Sequence, residues 1–328
     1  PGFVTRPRSS QAMPEVVVVG SLNMDLTSAA PRLPRAGETL LGTRFTMTPG
    51  GKGNNQALAC ARQGASTAMV GRLGDDAFAA QILDLLRADG VDTGQVSRHP
   101  QMGTGIAQIV VGEAGENSIV VVPLANSTLD QGAIAAAREL LSGAKVVLTQ
   151  LEIPLPAVSA ALAMGRALGL TTMLNPAPAL ALDQELLRLV DICVPNQVEA
   201  ATLTAEDTST VAGAVRAARI LCDRGCGAAV VTMGERGCVW ANRDGDYQMA
   251  AIPVAAVDTV AAGDAFCGAL AAAVSGGQSL RQALERATAA GALATTVRGA
   301  AVSLPTREAV DQMLARSGAI QVQAHPGP

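Results

Sequence analysis

The chain has 328 residues, of which 49% are hydrophobic, 16% charged and only 2% aromatic, so it holds enough Ala, Val and Leu for a large core in one soluble domain. A net charge of −4, with no basic run, gives no electrostatic reason to expect nucleic acid or an anionic membrane as partner. No apolar run reaches the roughly 18 residues of a bilayer span, because Gly, Pro or charge interrupts each one.

Residues 1–14 carry prolines, Arg6 and Arg8 but no acid, and read as a disordered leader, with Met13 standing where a natural start would. The run Val16–Val19 ends in Gly20, the pattern of a parallel strand buried on both faces. Residues 21–49 are strand-rich, with alternating pieces at 38–42 and 44–48 broken by Pro31, Pro34 and Gly37. A helix over 54–63 stopped by Gly64, a strand over 67–70 and a helix over 77–89 closed by Gly90 begin a βαβ alternation. It is interrupted by a hairpin, 104–111 and 117–122, around Gly112 and Gly115.

Regular alternation follows: helix 129–141, strand 146–150, helix 154–168, strand 171–175, a short helix, strand 192–194, helices 196–203 and 211–224, and strand 228–233. A hairpin across Arg243 to Asp246, a helix from Ala265 stopping at Gly276-Gly277, and helices 279–297 and 306–315 complete the domain. The pattern predicts an α/β fold: a three-layer, doubly wound, mainly parallel sheet over 15–318, with a small β lid from 21–49 and 103–123. Residues 319–328 are expected to be a disordered tail.

Six cysteines stand singly, without CxxC pairing or a nearby histidine, and read as buried hydrophobes of a reducing, cytoplasmic compartment. With only His99 and His325 available, a zinc site or a histidine base is not expected, and a general base should be a carboxylate. The stretch Asp258-Thr259-Val260-Ala261-Ala262-Gly263-Asp264 runs straight into an apolar helix. The amides of Ala261, Ala262, Gly263 and Asp264 would then point outward at the positive end of the helix dipole, an anion site. Asp264 reads either as an ordinary helix N-cap or as a proton acceptor beside a bound anion.

Three ordered signatures, Gly50-Gly51-Lys52-Gly53-Asn54-Asn55, Asn196-Gln197-Val198-Glu199 and the stretch 258–264, make the chain from Val16 to Leu314 resemble the ribokinase (phosphofructokinase-B) family of carbohydrate kinases. No Walker A spacing is present, which removes P-loop kinases. The resemblance implies ATP-dependent transfer to the 5-hydroxyl of D-ribose, with Asp264 as base and Ala261, Ala262 and Gly263 as the anion hole. It implies sugar contacts from Asn23, Asp25, Gly50, Gly51, Lys52, Asn55, Glu152 and Asp264. Asn23 and Asp25 also read as an Asx turn leaving a strand, the glycines as a flexible loop, and Glu152 as a solvated strand end.

On the nucleotide side the resemblance implies Asn196 and Glu199 acting on Mg²⁺ through water, and Thr232, Gly234, Gly237, Ala262 and Gly263 touching ATP. Asn196 and Glu199 also have capping-box spacing. The resemblance further implies K⁺ bound by Asp258 and Ser303 and by the carbonyls of Val260, Ala294, Val297 and Gly299, an all-oxygen set suited to a large hard cation. The chain departs from the family pattern at Pro123-Leu124-Ala125-Asn126, where a glycine is usual, and less at Pro49 and Asn54. Other expected substrates in the same fold are fructose, deoxyribose or an adenosine-like nucleoside, although one Trp, one Tyr and four Phe supply a base slot poorly. A catalytically inactive sugar-binding regulator is a third possibility, against which Asp264, Gly263 and Asn196 argue. Exposed lid edges predict a homodimer through the lid.

Overall fold

The structure, a computed structural model, describes residues 13–325; of the expected leader only Met13 and Pro14 fall among them, and residues 326–328 of the expected tail lie outside. In chain order the first half comprises β1 (Val16–Val19), β2 (Asn23–Ala29), β3 (Arg44–Gly50), α1 (Lys52–Arg62), β4 (Thr67–Gly74), α2 (Ala77–Ala88), β5 (Asp92–His99), β6 (Gly105–Val111) and β7 (Asn117–Val122). A 3-10 turn, Leu124–Thr128, leads to α3 (Gln131–Ala136), α4 (Arg138–Ser142), β8 (Val146–Gln150), α5 (Leu155–Ala167), β9 (Thr171–Asn175), α6 (Gln184–Leu187) and β10 (Ile192–Cys193). Then come α7 (Gln197–Thr204), α8 (Val211–Asp223), β11 (Ala228–Thr232), β12 (Cys238–Asn242), β13 (Gly245–Met249), α9 (Ala262–Ser275), α10 (Leu280–Ala294), α11 (Arg307–Ser317) and β14 (Val322–His325).

Ten strands form one sheet in the order β14-β13-β12-β11-β10-β9-β8-β1-β4-β5, parallel from β5 through β11 and antiparallel from there to β14. The β-branched run of β1 serves both faces, as a central parallel strand should. Val16 and Val18 pack in one core with α1, α2, α9 and α10 residues, and Val17 and Val19 in the other with α5, α7 and α8 residues. The expected three-layer fold is present. The chain runs outward from β1 to β4 and β5, then returns to β8 on the other side of β1. That reversal puts a crevice at the carboxyl ends of β1 and β8, where open α/β sheets bind ligands.

The second sheet, β3-β2-β6-β7, is the lid. Phe45, Met47, Ile119, Val120 and Val121 stand exposed on it. Asn126 ties the segment after β7 to the start of β2: the side-chain carbonyl accepts from Leu22 N at 3.0 Å, and Nδ2 donates to Leu22 O at 3.1 Å and Asn23 Oδ1 at 2.8 Å. In the segment that departs from the family pattern, Leu124 sits at φ 46°, a left-handed conformation costly for a branched residue.

Several expectations need correction. Residues 38–42 are not a strand: they pair with neither sheet, and Leu41 is 89% exposed, so no buried face rewards the alternation. The tail is not disordered over 319–325: Ile320 is buried, and β14 caps the edge of β13 from Val322 opposite Met249 to His325 opposite Asp246. The helix expected over 129–141 is two short ones, α3 and α4, and β5, an edge strand, was not anticipated. No helix among the described residues is long and apolar enough to cross a membrane.

Candidate active site

Close helix packing assembles the site. Gly268 on α9 lies where a Cβ would overlap the Cβ of Ala59 on α1, so only glycine lets the two helices approach this far. Residues near the amino ends of both helices then meet. Asp264 Oδ2 accepts from Asn55 Nδ2 at 3.0 Å, and Oδ1 accepts from Gln56 Nε2 at 2.9 Å. Asp264 is therefore not the N-cap. Ala261 holds that position in a left-handed conformation (φ 59°), and no side chain caps the helix. The 6% exposed carboxyl sits above its usual range through burial, an effect opposed by Lys52, Asn55 and Gln56.

A cavity of about 190 Å³ opens onto this carboxylate, walled by Lys52, Asn175, Ala177, Val194, Asn196, Glu199, Thr232, Thr259, Ala261, Gly263, Asp264 and Cys267. A Cβ on Gly263 would meet nothing within 4 Å, so the backbone there is open to a ligand. The expected fan of four free amides is trimmed by one, because Ala262 N–H turns back to Thr259 O at 3.3 Å. Burial pulls the Lys52 ammonium down, but Asp264, Glu152 and Glu199 outweigh that and hold it above its ordinary value. One cation facing a free helix amino end suits a polyanion, and the adjacent carboxylate suits a proton donor.

Asn196 and Glu199 satisfy both readings of their spacing. They form a full capping box, Glu199 N to Asn196 Oδ1 at 2.9 Å and Asn196 N to Glu199 Oε2 at 2.8 Å, and both line the cavity. Burial raises the Glu199 carboxyl. An oxygen-rich pair with a desolvated carboxylate, facing the same cavity as Lys52, is a donor set that fits a hydrated Mg²⁺.

The remaining sugar-side residues are not in the wall of this cavity. Glu152 is not a free strand end: its Oε2 accepts from Ser21 Oγ at 2.5 Å and from Lys52 N at 3.0 Å. Asp25 is pushed up to about 7 by burial and by the nearby carboxylates of Glu152 and Asp264. The two glycines make room for the protein's own atoms. A Cβ on Gly50 would overlap the Asp25 carboxylate, and one on Gly51 (φ 88°) would press on Asn23 N. Asn23 is buried against Asn126. A second cavity of about 330 Å³ opens beside Glu152 beneath lid residues Val121 and Pro123.

Of the expected nucleotide residues, Thr232 and Gly263 reach the cavity, whereas Gly234, Gly237 and Ala262 are outside its wall. Gly237 (φ 84°) is needed where a Cβ would overlap Met249 O. Asp258 ties the two expected cation loops together: Oδ1 accepts from Val260 N at 3.0 Å and Oδ2 from Gly299 N at 2.9 Å. The Ser303 hydroxyl donates to Ala300 O at 2.8 Å, leaving its oxygen lone pairs available. Sequence reasoning missed Gln56, Gln150, Asn175 and Thr259. Gln150 and Asn175 end parallel strands at the crevice side, the one signal that would have flagged them.

Comparison with known proteins agrees with this geometry. The family model described as pfkB family carbohydrate kinase matches residues 13–307. The ribokinase of Haemophilus influenzae is 36% identical over 294 residues, covering 89% of this chain and 96% of that protein. A bifunctional ribokinase/ribose-5-phosphate isomerase A of Fructilactobacillus sanfranciscensis is 39% identical over 300 residues, and the match spans 91% of this chain but only 56% of that longer protein. A deoxyribokinase of Salmonella typhimurium is 36% identical over 301 residues, covering 92% and 98%. The structure of Arabidopsis thaliana ribokinase complexed with ribose and ATP superposes with a TM-score of 0.85 at 32% identity, covering 92% of this chain and 98% of that one. With a family model spanning both halves of the site, the chain belongs to the pfkB family of carbohydrate kinases.

Proposed function

We propose that this chain transfers the γ-phosphoryl group of ATP to the 5-hydroxyl of D-ribose, giving ribose 5-phosphate and ADP in the cytoplasm. The observation that carries it is Asp264, a buried carboxylate at a helix amino end that caps nothing and faces a cavity shared with Lys52 and the open backbone of Gly263. Phosphoryl transfer asks mainly for positioning and charge stabilisation, and these groups supply both. Asp264 takes the hydroxyl proton, and the amides of Ala261, Gly263 and Asp264 receive the charge of the phosphoryl group, with Ala262 shaping the turn that presents them. Asn23, Asp25, Gly50, Gly51, Lys52, Asn55 and Glu152 hold the sugar hydroxyls; Thr232, Gly234 and Gly237 border the nucleotide. Asn196 and Glu199 would hold Mg²⁺ through water, and the ion when bound neutralises phosphate charge.

A K⁺ ion held by Asp258, Ser303 and the carbonyls of Val260, Ala294, Val297 and Gly299 would brace the loop before Ala261; the Asp258 bridge between the two loops supports this. The exposed apolar face of the lid supports a homodimer joined there. Deoxyribose is the second substrate reading, because a relative named deoxyribokinase matches about as well as those named ribokinase. A coupled ADP-release assay over ribose, deoxyribose, fructose and adenosine tests the proposal: ribose should give the highest kcat/KM. A higher value for another sugar reassigns the substrate, and no turnover with any would favour the inactive regulator.

A further inference from the structure

We infer that Gln56 is a positioning residue for Asp264, itself held in one orientation by Asn175 and Gln150, so that a chain of buried amides decides which group the base meets. The inference rests on the reading of Asp264 as the base. Gln56 and Gln150 are fully buried, and Asn175 is 8% exposed. The order starts at Val194 O, which can only accept: Asn175 Nδ2 donates to it at 2.8 Å. Asn175 must then present Oδ1, which accepts from Gln56 Nε2 at 3.1 Å. Gln56 Oε1, turned the other way, accepts from Gln150 Nε2 at 2.6 Å. Flipping the Gln56 amide would set oxygen against Asn175 Oδ1 and Asp264 Oδ1, and nitrogen against Gln150 Nε2, losing all three bonds. Gln56 is thereby obliged to donate to Asp264.

That donor matters because of what else faces the carboxylate. Lys52 on α1 favours its charge; Glu152 after β8, Asp25 on β2 and Glu199 on α7 oppose it, and Cys267 lies a turn further along α9. Alongside the Lys52 ammonium, the neutral N–H groups of Asn55 and Gln56 favour the charged form of Asp264 against burial and Glu152, and unlike a diffuse charge they also fix where its two oxygens point. Gln150 occupies the space that a Cβ on Gly20 would take, so the crevice glycine after β1 is part of the same device.

The test is the pH dependence of kcat for Gln56→Leu and Gln150→Leu, with melting curves and Asp264→Asn alongside. Loss of a donor to the ionised base should move the acidic limb of kcat upward, by about one unit in Gln56→Leu. At pH 7 kcat should drop roughly tenfold, with the sugar KM within about threefold. Gln150→Leu, which does not touch Asp264, should shift the limb the same way by less, and it carries the test alone where Gln56→Leu folds poorly. An unmoved limb in folded variants, or a raised KM at unchanged kcat, overturns the inference. If Asp264→Asn is inactive while the limb stays put, only the positioning role fails; if Asp264→Asn stays active, the base reading fails and takes the inference with it.

Discussion

Asp264→Asn separates catalysis from structure more sharply than any other single change. Asparagine keeps the shape but offers one acceptor and one NH₂, whereas Asn55 and Gln56 both donate to this side chain. Whichever way it turns, one donor faces another donor, at a cost of about 1–3 kcal/mol. Against that, the substitution removes a buried carboxylate that burial already disfavours, together with its repulsion from Glu152. The two effects oppose, so stability should change by no more than about 2 kcal/mol in either direction. Loss of a general base costs roughly 10²- to 10⁴-fold in kcat, which is about 3–5 kcal/mol of barrier. We therefore expect a coupled assay to show kcat lowered by two to four decades, with a near-native melting curve and calorimetric binding of sugar and ATP retained. A kcat within about fivefold of the parent enzyme, in protein shown to be folded, would refute the role and leave the buried carboxylate as a structural hydrogen-bond acceptor.

Four further outcomes follow from the geometry. Asp25, pushed up to about 7, binds its proton more tightly folded than unfolded; its stabilising contribution is full below its ordinary range and is lost as pH rises through about 7. The unfolding midpoint of Asp25→Asn should thus gain on the parent between about pH 4 and 7 and level off above, and a constant difference would contradict the shift. Gly268→Ala must push α9 off Ala59, so it should cost about 1–3 kcal/mol of stability and lower kcat without touching substrate; unchanged denaturation and kcat would show the helices free to separate. Replacing K⁺ by Na⁺ at constant ionic strength should lower kcat or raise the sugar KM, with Asp258→Ala erasing the difference; equal rates in both salts would leave Asp258 as a loop brace. Light scattering should give twice the 33.1 kDa of one chain, and the monomer mass at assay concentration would sink the lid dimer.

The fold was legible where burial wrote a period into the chain. Val16–Val19, β8 and β9 read as strands because both faces are covered, and the glycines after their helices mark the ends. It was illegible at the sheet edges. β5, with Gln95, Arg98 and two other outward residues, packs too little to show an apolar alternation, and β14 is a four-residue strand of mixed polarity whose reason to exist is the open edge of β13. The alternation over 38–42 suggested a strand where none forms, because with Leu41 89% exposed the segment has no buried face for that alternation to serve.

The site divides along the same line between local and distant causes. Asn196 and Glu199 are three residues apart, and their spacing alone announced the capping box that the structure contains. The same local logic offered Asp264 as a helix cap and failed, because donors 208 and 209 residues away compete for its oxygens. Once both oxygens are engaged from α1, the helix must start without a cap, and Ala261 accepts a left-handed backbone to let it. The glycine pair at 50 and 51 is likewise decided from outside its own motif: its missing side chains admit Asp25 and the backbone of Asn23 from the facing strand β2. A short motif thus names the residues of such a site, while their direction is decided by the pairings between motifs, which here run through the buried amides of α1, β8 and β9.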